Sequence, residues 1–330
     1  MDFHLHTAFA ADRLLDPHRQ LAQPGPPAPG VHPHPLPGAA AAMAWMETEH
    51  ATLLATQRTA IALGRHLVVW QLAWTLTTFH LWRGHRRDAL AVWRAALAAA
   101  AHLPDPTTRI RAHRNLGMAC SGLGLDEETI WHLDQALELA VRHHDPTEQA
   151  HTYQTFAVAW ERQGEHRRAL DQAGHARDLY HTIDLPTREA DALNSMGWLA
   201  AQLGRFAIAR DHCQAALDLA RHHSYPTGEA ATLDSLGFIA HRTGEHRQAL
   251  DHYHHAIVLR RSFGGIYRLA NTVDNTGHPH VALGEHDEAR AVSREALELY
   301  QQQGRDTDIQ RVKGQLDELD RTTATDLDNA

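Results

Sequence analysis

The sequence predicts an all-α protein, a right-handed α-solenoid of about six forty-residue helix pairs closed by a C-terminal capping helix. Three repeating columns support this prediction. Glycine recurs every forty residues, at Gly84, Gly124, Gly164, Gly204, Gly244 and Gly284. Alanine keeps the same register at Ala96, Ala136, Ala176, Ala216, Ala256 and Ala296, and proline at Pro106, Pro146, Pro186 and Pro226. Columns locked to one period indicate duplicated units that stack on their neighbours.

Three segments are predicted before the repeats. Residues 1–22 form a short amphipathic segment, interpreted as the remnant of a preceding domain. Residues 23–38 contain seven prolines, which disfavour helix and packed strand, so this stretch is expected to be a linker. Residues 39–65 form a leading helix that stops near Gly64.

The repeat array is expected over residues 66–303, with helix pairs near 66–102, 108–142, 148–182, 188–222, 228–262 and 268–302. The start of the third pair carries clear signals. Asp145 can cap the helix, Pro146 suits its first position, and Glu148 completes a pattern resembling a capping box.

A capping helix is predicted over residues 304–320, because an open-ended array needs a terminal unit with a polar outer surface. Its apolar face holds Ile309, Val312, Leu316 and Leu319. Residues 321–330 are predicted to be a disordered tail.

Composition excludes several classes of function. The formal net charge is −9, and Lys313 is the only lysine, so the clustered basic surface of a nucleic-acid-binding protein is not expected. The most apolar stretch, His66 to Trp82, is interrupted by polar residues and is short for a membrane span. The N-terminus lacks the pattern of a secretion signal, and the two cysteines, Cys120 and Cys213, lack a metal or redox spacing. A cytoplasmic protein without membrane contact is predicted.

The repeats resemble the tetratricopeptide repeat. In the first helix of a pair, an apolar residue followed by glycine precedes a small residue three positions later. This pattern occurs as Leu116-Gly117 with Cys120, as Met196-Gly197 with Ala200, and as Leu236-Gly237 with Ala240. The second helices carry the matching small residues, at Ala169, Ala173 and Ala176, at Ala209, Cys213 and Ala216, and at Ala249, Tyr253 and Ala256. The unit here is forty residues long against the usual 34, and the additional residues fall in the turns between repeats.

A second resemblance concerns the stretch 44–49 (Ala-Trp-Met-Glu-Thr-Glu), Trp70-Gln71-Leu72-Ala73 and Met196-Gly197-Trp198. These look like the repeat domain of actinomycete NB-ARC regulators, which include antibiotic regulatory proteins. The resemblance implies a sensory or autoinhibitory role. It does not extend to ATPase activity, because a phosphate-binding loop needs a lysine within a glycine-rich turn, and Lys313 has no such context.

Neither a metal site nor a catalytic site is predicted. The 29 histidines include adjacent pairs that point in different directions on a helix, and the local sequence completes no four-ligand set. Ser195 and Ser235 lie within helices, away from any nucleophile-elbow pattern. No cofactor is expected.

Binding residues are predicted on the first helix of each pair, which lines the concave face in this repeat type. Polar side chains beside Trp198 and Phe238 are typical of a peptide-binding groove, although these two aromatics could instead fill gaps between repeats. The candidate set is Arg111, Arg114, Met118, His151, Gln154, Asp191, Asn194, Trp198, Asp234, Phe238, His241, Asn271 and Asp274.

These observations predict a non-enzymatic protein- or peptide-binding module, the sensory or scaffold part of a transcriptional or signalling regulator. One alternative is a receptor for a small peptide or a small-molecule signal. The alternative of another class is a metal-dependent hydrolase, which needs a convergent site that the sequence does not display.

Overall fold

The computed structural model describes residues 1–16, 23–262 and 266–328, and the regular structure in these ranges is entirely helical. The sixteen helices found there are α1 (Asp2–Leu15), α2 (Ala39–Ala62), α3 (His66–Thr75), α4 (Thr77–Arg83), α5 (Arg86–Ala100), α6 (Pro106–Gly122), α7 (Asp126–Arg142), α8 (Pro146–Arg162), α9 (His166–Thr182), α10 (Pro186–Gln202), α11 (Phe206–His222), α12 (Pro226–Arg242), α13 (His246–Ser262), α14 (Ile266–Ala282), α15 (His286–Gln302) and α16 (Asp306–Asp328). The prediction of an all-α solenoid of helix pairs is confirmed.

The chain divides into two compact units, Met1–Gln163 and Gly164–Ala330. In the first unit, α5 packs on α6, α6 on α7, and α7 on α8. In the second unit, each helix from α9 to α16 packs on the next one along the chain. Each unit therefore buries its core between consecutive helices, as expected for a repeat array.

The core of the first unit is rich in tryptophan. The rings of Trp70 and Trp74 stack with centroids 5.3 Å apart, and Trp93 meets Trp74 edge-on at 6.2 Å. Leu5 of α1 and Met46 of α2 belong to the same buried cluster. The segments before the repeats thus share the core of the first helix pair.

The proline-rich segment is tied to α1 by two hydrogen bonds. The backbone N–H of Ala28 donates to the carboxylate of Asp2 over 3.1 Å, and the N–H of His34 donates to the hydroxyl of Thr7 over 3.0 Å. At the other end of the chain, α16 continues to Asp328, beyond the predicted end of the capping helix. The proposed division into a remnant segment, linker, array and tail stays a prediction.

The first helix of the first pair differs from its counterparts, because it is broken at Leu76 into α3 and α4. Two threonines flank the break. The hydroxyl of Thr75 donates to the carbonyl of Leu72 over 3.1 Å, and that of Thr77 donates to the carbonyl of Ala73 over 3.0 Å. Such back-bonding competes with the helical ladder and bends helices.

The start of α8 confirms one part of the capping prediction and corrects another. Pro146 occupies the first turn, and the Asp145 side chain accepts from the N–H of Glu148 over 3.0 Å. The Glu148 carboxylate, however, does not complete a capping box. It binds Arg111 and Arg114 of α6, because a buried carboxylate is stabilised more by guanidinium groups than by one backbone N–H.

The turns between helices use the left-handed backbone region at two columns. The glycines at the periodic turn within each pair, from Gly84 to Gly284, have φ between 70° and 85°. The column between pairs holds His144, Asp184 and Ser224, with φ of 52°, 54° and 50°, whereas Gly304 takes this place near the C-terminus. Non-glycine residues are strained in this region.

We expect replacement of His144, Asp184 and Ser224 by glycine to stabilise the protein by about 0.5–1 kcal/mol per site, since relief of left-handed strain exceeds the backbone entropy that glycine loses on folding. The measurement is the midpoint of urea unfolding for each single variant and for the triple variant. His143→Gly serves as the control, because His143 precedes the strained position with φ of −92°. Equal effects of His143→Gly and His144→Gly would contradict the explanation.

The C-terminal helix closes the second unit as predicted. Val312 is fully buried, and Ile309 and Leu316 pack around it against Ala296 and Tyr300 of α15. Both cysteines are buried and free, so they act as small apolar residues. Over the described part of the chain, no helix has the length and apolar character needed to cross a membrane.

Candidate functional site

The predicted binding residues lie on the first helix of each pair. In the first unit they lie on α6 and α8, which pack side by side, and in the second unit on α10, α12 and α14, which also pack in that order. We call the second set the first-helix face of the second unit. It comprises Asp191, Asn194, Trp198, Asp234, Phe238, His241, Asn271 and Asp274.

In the first unit, Arg111 and Arg114 are engaged by a carboxylate from within the protein. Arg111 Nε lies 2.6 Å from Oε1 of Glu148, and Arg114 Nη1 lies 2.5 Å from Oε2. The Glu148 side chain is only 1% exposed. The Arg111 guanidinium also lies over the Trp74 ring, 5.1 Å from its centroid. These arginines therefore join α6 to α8, and the single carboxylate of Glu148 offsets one of their two positive charges.

The other candidates of the first unit are partly buried and show no charged cluster. Met118 lies on α6, and His151 and Gln154 lie on α8, each with intermediate exposure. Of the first unit's candidates, Arg111 lines a cleft of about 300 Å³, together with Leu67, Trp70 and others.

The second unit brings an aromatic pair to its first-helix face. Trp198 of α10 and Phe238 of α12 meet with ring centroids 4.8 Å apart and an angle of 50° between the rings. Both are partly buried, and the guanidinium of Arg242 lies 5.6 Å from the Phe238 centroid. Asn194 lies one helical turn before Trp198, and its side-chain oxygen lies 3.8 Å from the Cys213 sulfur. Trp198 and Phe238 therefore form an apolar patch that is flanked by polar side chains.

Two carboxylates accompany the aromatic pair. Asp191 accepts from Arg188 and from the Tyr225 hydroxyl, each over 3.2 Å. Burial raises the pKa of Asp191, and the nearby Arg188 charge opposes that shift. Asp191 is therefore partly satisfied by its own unit.

Asp234 is paired less closely. Its Oδ2 lies 4.0 Å from Nη2 of Arg260, a side chain only 3% exposed. Burial raises the pKa of Asp234, whereas the charges of Arg260 and Arg268 and hydrogen bonds from the side chains of Thr272 and Asn275 oppose the rise. Among the described residues, Asp234 Oδ1 and Arg260 Nε are buried without a hydrogen-bond partner. Such groups are costly unless something else satisfies them.

Asn271 and Asp274 are occupied by the C-terminal part of the unit. The Tyr300 hydroxyl donates to Asn271 over 3.2 Å and to Asp274 over 3.1 Å. Arg311 of the capping helix lies 2.5 Å from the Asp274 carboxylate, which is 7% exposed. These two residues thus hold the last repeat against the capping helix.

His241 belongs to a histidine group at the end of α12. Its Nδ1 lies 3.1 Å from that of His246, and its ring centroid lies 6.1 Å from that of His278. Burial, followed by the two neighbouring histidines, lowers the pKa of His241, which favours the neutral imidazole. Of the first-helix face, Asn194, Trp198, Asp234, Phe238 and His241 lie on the neighbouring helices α10 and α12.

The sequence analysis missed the partners of these residues. Arg260 lies on a second helix, where the equivalent positions hold Ala140, Tyr180, Ala220 and Tyr300. An arginine at a repeat position that is otherwise apolar could have predicted a buried charge. The burial of Glu148 could not be predicted in this way, because a glutamate near the start of a helix is already explained by helix capping.

The comparisons with known proteins agree with this architecture. Two family models, each described as Tetratricopeptide repeat, match residues 190–224 and 228–302. These residues therefore form tetratricopeptide repeats, which are generally interaction scaffolds without catalytic activity. No enzymatic family is indicated. A search of curated proteins found no match.

Three solved structures illustrate the similarity of fold. A Rap protein complexed with Competence and Sporulation Factor is 12% identical, with a TM-score of 0.57, covering 97% of this chain and 98% of that one. A signal transduction ATPase with numerous domains and a tetratricopeptide repeat sensor, from Pyrococcus horikoshii, is 14% identical, with a TM-score of 0.56, covering 78% and 41%. BtubC from P. vanneervenii is 17% identical, with a TM-score of 0.53, covering 67% and 91%. At these identities the similarity concerns the fold alone.

Proposed function

We propose that the protein is a non-enzymatic module that binds an extended peptide or protein segment on the first-helix face of its second unit. The observation that carries the proposal is the partly buried Trp198–Phe238 pair beside the partly exposed carboxylate of Asp234. Trp198 and Phe238 supply the apolar anchor. Asn194 and Asp234 supply acceptors, and Asn194 also a donor, for the backbone of the partner.

The polar groups favour a peptide over a purely apolar ligand. Asn194 and the Asp234 carboxylate, whose side chain is 26% exposed, lie one helical turn before Trp198 and Phe238, and a peptide backbone carries both donors and acceptors at regular spacing. Because such groups gain most when a partner satisfies them in a dry setting, they add specificity to the apolar anchor.

The wider role that we propose is the sensory or scaffold part of a transcriptional or signalling regulator in the cytoplasm. Two structural neighbours support it: the Rap protein, solved with Competence and Sporulation Factor, and the archaeal ATPase, whose repeats are described as a sensor. We further infer that the partner is a protein or peptide and that the chain makes no direct contact with nucleic acid or membrane. Its net charge of −9 disfavours phosphate binding.

The test uses the double variant Trp198→Ala/Phe238→Ala as bait in a pull-down from native extract, beside the wild-type chain. Removing a buried aromatic anchor costs about 2 kcal/mol or more, roughly thirtyfold in affinity. We expect a partner captured by the wild type to be lost by this variant. Peptides tiled across that partner, titrated by calorimetry, then measure the affinity directly.

The matched control is Trp131→Ala, which removes a tryptophan that is 55% exposed on the second helix α7. Partner capture should survive this change, and circular dichroism should be unchanged in both variants. Loss of the partner with Trp131→Ala, together with retention in the double variant, would place the binding surface elsewhere.

The cleft of about 300 Å³ in the first unit favours a second candidate, a receptor for a small peptide or small-molecule signal. Leu67 and Trp70 give it apolar walls, and Arg111 gives it a cation at its edge. Thermal-shift screening of the Leu67→Glu variant against the wild type separates the two functions, because a ligand of this cleft would stabilise only the wild type.

A further inference from the structure

Three metal-ligating side chains converge in the first unit, and a fourth, His80, contacts one of them. They come from three elements: His50 from α2, His80 from α4, and His85 and Asp88 from the start of α5. The Nε2 atoms of His50 and His80 are 3.0 Å apart. Asp88 Oδ2 lies 3.9 Å from His50 Nε2 and 4.0 Å from His85 Nδ1. Ligand atoms of His50, His85 and Asp88 all lie within 4.8 Å of one another.

These separations suit a shared ion. Zinc–nitrogen bonds of about 2.0–2.1 Å in a tetrahedral site place two ligand atoms about 3.3 Å apart. The distance between His50 and His80 is close to that value. The carboxylate of Asp88 is 44% exposed, so a small rotation of its side chain can shorten the two longer distances.

His80 contributes a buried imidazole to the cluster. His80 is 2% exposed, and its Nδ1 has no hydrogen-bond partner among the described residues. His85 and Asp88 are partly exposed, which gives an ion a route from solvent.

A second cluster in this unit, formed by Cys120, Glu128 and His132, is less suited to a metal. Glu128 is already paired with Arg94, whose Nη2 lies 3.0 Å from its carboxylate. Burial raises the pKa of Cys120 to about 11, so zinc would have to displace a proton from this thiol.

We propose that His50, His80, His85 and Asp88 bind one divalent ion of the zinc class, which fastens helix α2 to the α4–α5 hairpin. Three imidazole nitrogens and one carboxylate oxygen form a donor set that zinc accepts. Because the ligands come from helices that are separate along the chain, the ion would act as a structural tie between the leading helix and the first helix pair.

The experiment loads the full chain with zinc chloride, dialyses it against a weak chelator and measures bound zinc by mass spectrometry. We expect one zinc per chain for the wild type. His85→Ala and Asp88→Asn, which change partly exposed residues, should each weaken zinc binding by about tenfold or more. The zinc-dependent rise in melting temperature should shrink in parallel.

The control is His66→Ala/His102→Ala, which removes a stacked pair of histidines, 4.2 Å between centroids, in the same unit. This variant should retain zinc as the wild type does. Three results would overturn the proposal: no retained zinc in the wild type, equal retention by His85→Ala, Asp88→Asn and wild type, or loss of zinc on Cys120→Ser alone. Circular dichroism of each variant confirms that it folds.

Discussion

Replacing Glu148 by alanine should destabilise the first unit by about 3–5 kcal/mol, the usual cost of removing one partner from a buried ion pair. Glu148 is almost fully buried and binds both Arg111 and Arg114. Without it, two guanidinium groups that are 20% and 12% exposed face each other with no counter-charge. The joint between α6 and α8 should therefore open before the rest of the unit.

The measurement combines urea unfolding with hydrogen exchange, because a repeat array need not unfold in one step. Glu148→Gln separates charge from shape, since it keeps the packing and removes the ion pair. The control is Glu138→Ala, which breaks an exposed pair with Arg142 and should change stability by no more than about 0.5 kcal/mol. Equal losses for Glu138→Ala and Glu148→Ala would refute the assignment of Glu148 as the joint.

The second large effect is expected at Gly197, where α10 approaches α11 most closely. A Cβ atom at this position would lie 2.3 Å from the Cys213 sulfur and 3.0 Å from the Ala209 carbonyl oxygen. Overpacking of this kind costs about 1–3 kcal/mol or more, against a gain in helix propensity of up to about 1 kcal/mol. We expect Gly197→Ala to destabilise the second unit by about 2 kcal/mol.

The repeat supplies its own control, because Gly277 occupies the same column. A Cβ there would lie 3.6 Å from the Ser293 hydroxyl, an ordinary contact, so Gly277→Ala should be neutral or stabilise by up to about 1 kcal/mol. Cys213→Ala should recover part of the loss when combined with Gly197→Ala, as a double-mutant cycle would report. A destabilising Gly277→Ala together with a neutral Gly197→Ala would contradict the close-approach argument.

The sequence alone determined the fold class, the helix pairs and the turn positions. Each of these is a local or periodic property: glycine at a left-handed turn, proline at a helix start, and small residues where helices meet every forty positions. The same periodicity identified the helices that carry the candidate residues, because equivalent positions in stacked repeats share one face.

The tertiary structure alone decided which of those residues are already engaged. Arg111 and Arg114 share the carboxylate of Glu148, and Asp274 is paired with Arg311, residues that lie 34 to 37 positions away. The convergence of His50 with His80, His85 and Asp88 likewise joins elements that the local sequence keeps apart. Equivalent positions in the repeats predict the direction in which a side chain points. They do not predict the length, charge or rotamer of the side chain that contacts it from a neighbouring helix. Those contacts form only when the helices pack.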